Sequence, residues 1–194
     1  MRYIHRYIER FVDRVFFWKR HADEAALRRF AHESSYITDR SVLLDRTIRE
    51  VKAHTGAERA AILVRDGAAS YASASDGERV VVNENDPGIL ALRAWHKAVD
   101  LHAVPDTQMR GEYAFPMASR GELVGVLVCG SKPDGELYAP DESDALLALA
   151  HGVGAALGVL SSDRDHAEDI VAQELAALRA VVESALHQLR PTTT

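Results

Sequence analysis

A chain of 194 residues that is 47% hydrophobic and 27% charged can form one sizeable core with helical extensions, which sets it apart from disordered sequences. Its formal net charge of −6 counts against nucleic-acid binding, because phosphate neutralisation needs a basic face. A single cysteine, Cys129, excludes an internal disulfide and a cysteine-rich zinc site and fits a reducing compartment.

The first twenty residues run against the overall charge. Arg2, Arg6, Arg10, Arg14, Lys19 and Arg20 outnumber Glu9 and Asp13, so this segment is +4 and the remaining chain is −10. Charges recur every few residues to position 24, which leaves no apolar core for a secretory signal. Ile4, Ile8, Phe11, Val15, Trp18, Ala22 and Ala25 alternate in steps of four and three, the seam of a heptad. This spacing predicts an amphipathic helix over residues 1–36 whose seam suits pairing with another helix.

A second helix is predicted from about residue 40 to 54, with Leu43, Leu44, Thr47, Ile48 and Val51 on one face and Gly56 ending it. From residue 59 the pattern changes to strands: "RAAILVRDGAASYASASDG" reads as strand, turn and strand. Asp86 and Pro87 mark a helix start, the first as N-cap and the second at the first helical position. "VDLHAV" is a short strand. "EYAFPMASRGELVGVLVCGSK" predicts a hairpin turning at Arg120 and Gly121, with Pro116 demanding an edge or a bulge.

Pro140, Asp141 and Glu142 open the next helix, where acidic residues favour the positive end of the helix dipole. Residues 145–162 carry no formal charge, long enough to compare with a membrane span. Their three glycines, their histidine and their acidic flanks favour a buried helix instead. Ala150, Gly154 and Gly158 leave one stripe of it nearly bare, suited to close approach by another helix. "SSDRDHAED" is either a linker or a solvated helical turn. A second heptad then follows at Val171, Leu175, Leu178, Val182, Ala185 and Leu189.

The central pieces, in this order, resemble a known family. "GAERAAILVRDG" as first strand, Phe115, Pro116 and Met117 in an apolar-Pro-apolar slot, Gly125 in a Gly-Val-Leu slot and "LYAPDESDALLALAHGVGAAL" as closing helix resemble the GAF domain, a small sensory module. The resemblance covers residues from about 40 to 160. It implies an α+β fold: a central antiparallel sheet of five or six strands, helices on one face, and a ligand pocket on the other roofed by residues 77–108. Dimerisation through the first and last helices is implied as well, in agreement with the two heptads. The domain plan is thus an N-terminal helix over 1–36, a GAF-like domain over 37–162 and a C-terminal heptad helix with a short disordered end over 163–194.

The opening segment also resembles the stretch that follows the last membrane span in some bacterial receptors with a cytoplasmic GAF domain. On that likeness the chain is the soluble, cytoplasmic part of a membrane-anchored protein, and its basic residues lie near anionic lipid.

The densest cluster of functional side chains is Arg93, Trp95, His96, Lys97, Asp100 and His102. In the resembled fold it lies at the pocket roof and rim, where an indole stacks on a flat ligand and charged groups orient it. With Tyr71 and Glu112, these residues other than Lys97 form the expected small-molecule site. The bland alternative packs Trp95 on the sheet and leaves Arg93 and Lys97 solvated. His96 and His102 are too sparse for a metal or haem site. Cys129 reads as a buried small hydrophobe, and one cysteine does not suit the family's methionine sulfoxide reductases, which rely on several. The cyclic-nucleotide signature and the bilin cysteine are both missing.

"FAHESSY" places His32 before Glu33 as in kinase phosphoacceptor helices, without the Leu-Arg and Pro pattern or an ATP-binding domain. No phosphate loop, nucleophile elbow or His-Glu-x-x-His is present. The leading expectation is a non-catalytic sensory domain in bacterial signal transduction, homodimeric through Ile4, Ile8, Phe11, Val15, Trp18, Ala150, Gly154, Gly158, Val171, Leu175, Leu178 and Val182. The second is a degenerate, ligand-free dimerisation scaffold, with Trp95 filling the pocket, and the third a small enzyme. The sequence identifies no cofactor and no output partner.

Overall fold

A computed structural model describes residues 21–67, 69–74 and 80–188. The heptad positions from Ile4 to Trp18 lie outside these residues, as do the side chains of Val171, Leu178 and Val182. One compact unit runs through Gly158 and a second takes up from Val159. Over its described residues the second is helical, as far as Gln188, and Leu175 is exposed.

The first unit is built on a six-stranded antiparallel sheet ordered β3-β2-β1-β6-β5-β4. In chain order the strands are β1 (Ala60–Asp66), β2 (Ser70–Ser73), β3 (Val81–Asn83), β4 (Val99–Asp100), β5 (Tyr113–Ser119) and β6 (Glu122–Cys129). The helices are α1 over residues 21–33, α2 (Arg40–Thr55), α3 (Pro87–Trp95) and α4 (Pro140–Gln188).

Local chemistry sets the ends of these elements. Asp39 accepts a hydrogen bond from the Val42 amide and caps α2, whose last turn closes on Gly56 at φ +70°. That left-handed backbone is open to glycine without steric cost. The β5–β6 turn falls at Arg120 and Gly121, both with positive φ, as the hairpin pattern predicts. Strand β3 escapes the sequence pattern because it is three residues long and covers only the sheet edge. "VDLHAV" supplies just two strand residues before a 3-10 turn at Leu101–Ala103. Pro116 sits in an inner strand, but β4 pairs only with Tyr113 and Ala114, so the outer edge at Pro116 carries no ladder bond. The bulge comes at the next step, between Met117 and Ala118.

Register assigns the faces. Leu63 opposes Val126, Ala114 opposes Val128 and Tyr71 opposes Val82, and these belong to a buried cluster with Ile89 and Leu92 of α3. The alternate residues Ile62, Phe115, Met117 and Leu127 point the other way. All four are fully buried, as are Leu43 and Val51 of α2 and Leu146, Leu149 and Val153 of α4. The stretch Pro140–Ser162 has the length and mean hydropathy, 1.7, of a membrane span. Its burial pattern is that of a core helix through Leu157.

The small-residue stripe of α4 meets a strand rather than the helix expected of it. A Cβ on Gly154 would lie 2.7 Å from the Ala118 nitrogen and the Met117 carbonyl carbon, and one on Gly158 would strike Ser119. Ala150 on the same stripe is buried. Gly154 and Gly158 therefore pack within the chain's own domain, against β5. Gly152, off the stripe, makes the helix-to-helix contact: its Cβ would lie 2.6 Å from the Ala31 carbonyl oxygen of α1.

Alanine in place of a helical glycine ordinarily gains about 1 kcal/mol. Here the added methyl meets backbone that cannot swing aside, so Gly154→Ala is expected to lower stability by about 1–3 kcal/mol in urea denaturation.

Candidate functional site

The side chains singled out in the sequence gather in two groups around α3 and β4. The first joins Tyr71 to Arg93. Tyr71 is fully buried, donates from its hydroxyl to the Leu123 carbonyl at 3.0 Å, and accepts from the Arg93 guanidinium at 3.3 Å. Arg93 also lies 3.5 Å from Glu84 and 6.0 Å from the centre of the Tyr71 ring. The Tyr71 hydroxyl bond foremost, and Glu84 after it, hold the Arg93 charge firmly, moving its pKa up.

The second group lies where β4 meets β5. Asp100 accepts from the His102 amide at 2.9 Å, and the His102 ring nitrogen Nε2 lies 3.0 Å from Glu112. The Glu112 carbonyl accepts from the Leu101 amide, which fastens the turn to the strand. Between the groups, Trp95 ends α3 with 62% of its surface exposed, and His96 caps the helix at φ +51°. Trp95 therefore does not fill the core on this side; Tyr71 does. Burial foremost, and the neighbouring His96 ring after it, move the His151 pKa down. Lys97 is exposed.

One residue that organises this region was read only as a helix cap. Asp86 is buried and its Oδ1 accepts from the Gly88 amide at 2.8 Å and from the Thr107 hydroxyl at 2.7 Å. Its Oδ2 accepts from the Gln108 amide at 2.7 Å. One carboxylate thus starts α3 and ties it to the 107–109 segment, which sets Met109 in the core beside Ile89 and Leu92. Proximity in the sequence reveals the cap, whereas the Thr107 and Gln108 bonds span twenty-one and twenty-two positions and have no sequence signal.

A separate cavity of about 220 Å³ is lined by α1, the end of α2, the connection after β6 and the start of α4, with Glu24, His54 and Lys132 among its wall residues. The Lys132 ammonium donates to Glu142 at 2.6 Å, and both side chains are buried. None of the seven residues named as ligand contacts lines this cavity. Among the described residues, no three His, Cys, Asp or Glu side chains are grouped to hold a metal. Cys129 is fully buried, and burial foremost, followed by the Glu142 charge, pushes its pKa up to about 12.

Two outcomes follow from this geometry. Asp86→Ala removes a cap and strands two further donors, so a loss of about 2–4 kcal/mol is expected in urea denaturation. Asp86→Asn, which keeps one acceptor, should lose less. The Cys129 thiol, protonated and enclosed, is expected to resist a disulfide reagent such as DTNB at pH 8 and to react stoichiometrically once guanidinium unfolds the chain.

Residues 39–157 match the family model of the GAF domain. Among solved structures, the chain is similar to the GAF domain of a phosphoenolpyruvate-protein phosphotransferase from Coxiella burnetii. That pair has a TM-score of 0.60 and 15% identity, and the match covers 74% of this chain and 98% of the other. It is similar also to residues 122 to 287 of a methyl-accepting chemotaxis protein, at TM-score 0.55 and 18% identity over 67% of this chain and 95% of the other. Free methionine-R-sulfoxide reductase from Neisseria meningitidis, solved with its substrate, is a further structural relative: TM-score 0.59, 16% identity, 75% of this chain and 93% of that one. No curated protein gives a significant sequence match. With the family model matching well over half of the chain, and the six-stranded sheet and its helices shared with solved members, this protein belongs to the GAF domain family.

Proposed function

We propose that this chain is a non-catalytic sensory and regulatory GAF domain that works as a homodimer and signals through its first and last helices. The observation that carries this reading is the contact of Gly152 in α4 with the Ala31 backbone of α1. Leu27 and Phe30 of α1 are buried as well, while Ala22 and Ala25, the described end of the N-terminal heptad, are exposed. One face of α1 is thus held by the domain and the heptad face stays available to a partner helix. A displacement of the sheet is then transmitted to both helices, and coupling of about 1–3 kcal/mol is typical of such a link.

The chemistry present supports a regulator rather than an enzyme. The buried Cys129 thiol is held far from its reactive form, and the polar groups around α3 are bonded to one another. One observation favours the ligand-free scaffold as a second reading: Tyr71, fully buried with its hydroxyl satisfied internally, occupies the core under α3.

Light scattering on the full chain at micromolar concentration is expected to give the dimer mass. Val15→Asp on the seam should shift it toward monomer, and a strictly monomeric parent chain overturns the dimer reading. Native mass spectrometry separates the two readings of the core, since a retained small molecule supports the sensor and bare protein mass supports the scaffold.

A further inference from the structure

Helix α1 precedes the stretch that matches the GAF family model, residues 39–157, and polar contacts tie it to α2 near both of its described ends. Near its end, Glu33 accepts from the Arg46 guanidinium at 3.0 Å, and that guanidinium lies 4.9 Å from the centre of the buried Phe30 ring. Near its start, Asp23 lies 2.8 Å from Nδ1 of His54, in the last turn of α2. Arginine stays charged throughout the physiological range, whereas the charge of histidine ordinarily changes between about pH 5 and 8. The two ties therefore differ in kind.

His54 is placed where its proton decides how many contacts it makes. Its Nδ1 faces Asp23 of α1 and its Nε2 lies 3.3 Å from Glu50 of α2, so a carboxylate stands at each ring nitrogen. A neutral imidazole has one N–H and one bare nitrogen, and it can donate to one carboxylate only. The bare nitrogen then sets an acceptor against an acceptor. Only the doubly protonated ring donates to both. The other charged groups that share the cavity wall with His54 and Asp23 are Glu24 of α1, Lys132 and Glu136 of the connection after β6, and Glu142 of α4. Lys132 is paired with Glu142 at 2.6 Å, Glu24 lies 3.6 Å from His21 of its own helix, and Glu50 lies 3.7 Å from Arg46. Loss of the His54 proton removes one donor and one positive charge from the contact with α1 and leaves the Arg46 tie intact.

We propose that His54 is a pH-sensitive latch on the start of α1. Protonated, it draws Asp23 and Glu50 together and closes α1 onto α2; deprotonated, it loosens the start of the helix while Arg46 and Phe30 retain its end. The latch acts within one copy of the chain, so it stands apart from the dimer reading.

Amide hydrogen exchange on the full chain at about pH 6 and about pH 8 tests this, with each rate corrected for the intrinsic effect of pH. Ala25, Ala26 and Leu27 are expected to lose protection by about two- to fivefold at the higher pH, relative to Ala31 and His32, as suits a partly exposed ion pair. His54→Gln, which cannot charge, should abolish that difference. His21→Gln should keep it, because Glu24, which His21 faces, lies on α1 itself. Equal protection at both pH values in the unaltered chain, a difference that survives in His54→Gln, or one lost in His21→Gln overturns the latch. Where His54→Gln does not fold, NMR titration of the unaltered chain decides. A common midpoint for the His54 ring and the Ala25, Ala26 and Leu27 amides supports the latch, and separate midpoints overturn it.

Discussion

Strand β6 is buried on both faces from Gly125 to Cys129, and the other elements are arranged by the need to cover it. Its backbone is satisfied by β1 on one side and β5 on the other. Leu123, Val126 and Val128 face the cluster with α3, while Leu127 and Cys129 alternate to the other side. Each large apolar side chain buried this way contributes about 1.5–3 kcal/mol. Two separate layers must therefore be brought onto one strand, and they are held by different means. Packing on small residues brings α4 onto β5. Polar anchoring brings α3 and its following loop onto the opposite face.

The polar anchor concentrates risk. Asp86, itself buried, satisfies three donors from two distant stretches of chain. A fully satisfied buried network rigidifies the region it spans, and a partly satisfied one is worse than none. Arg93 plays a related part from the other end of α3 by tying the helix to Tyr71 and Glu84. Several of the residues read in the sequence as ligand contacts also hydrogen-bond within the domain: Arg93 to Tyr71, and His102 to Asp100 and Glu112. Trp95 and His96, at the exposed helix end, have no such duty to the core.

The cavity beside α1 shows the reverse case. Its wall residues come from positions 23–24, 53–56 and 132–142, none of which forms a motif. Asp141 and Glu142 were fully explained by the start of a helix. Only the fold reveals that Glu142 also reaches a buried lysine ten residues back, and that Glu24 from a separate helix lines the same cavity. Sequence spacing reports neighbours on one element, and this cavity is walled by three helices and the connection after β6.

Hydrophobic period, turn chemistry and caps were legible because each is a local property of the chain. They placed α2, α3, the β5–β6 hairpin and the start of α4, and their order carried the family. Strand β3 was not legible, since three edge residues carry too little pattern. The destination of the bare stripe on α4 was also beyond local reading. Small residues announce that something comes close, but a helix and a strand are both narrow enough to do so. The sequence by itself thus determined the helices and the longer strands, their order and the family, and left out β3. Tertiary structure alone decided that Gly154 meets β5, that Asp86 holds residues 107 and 108, and that Glu24 shares a cavity wall with Glu142. The physical reason is the same in all three: each joins residues far apart in the chain, and their approach is fixed only when both faces of β6 are covered.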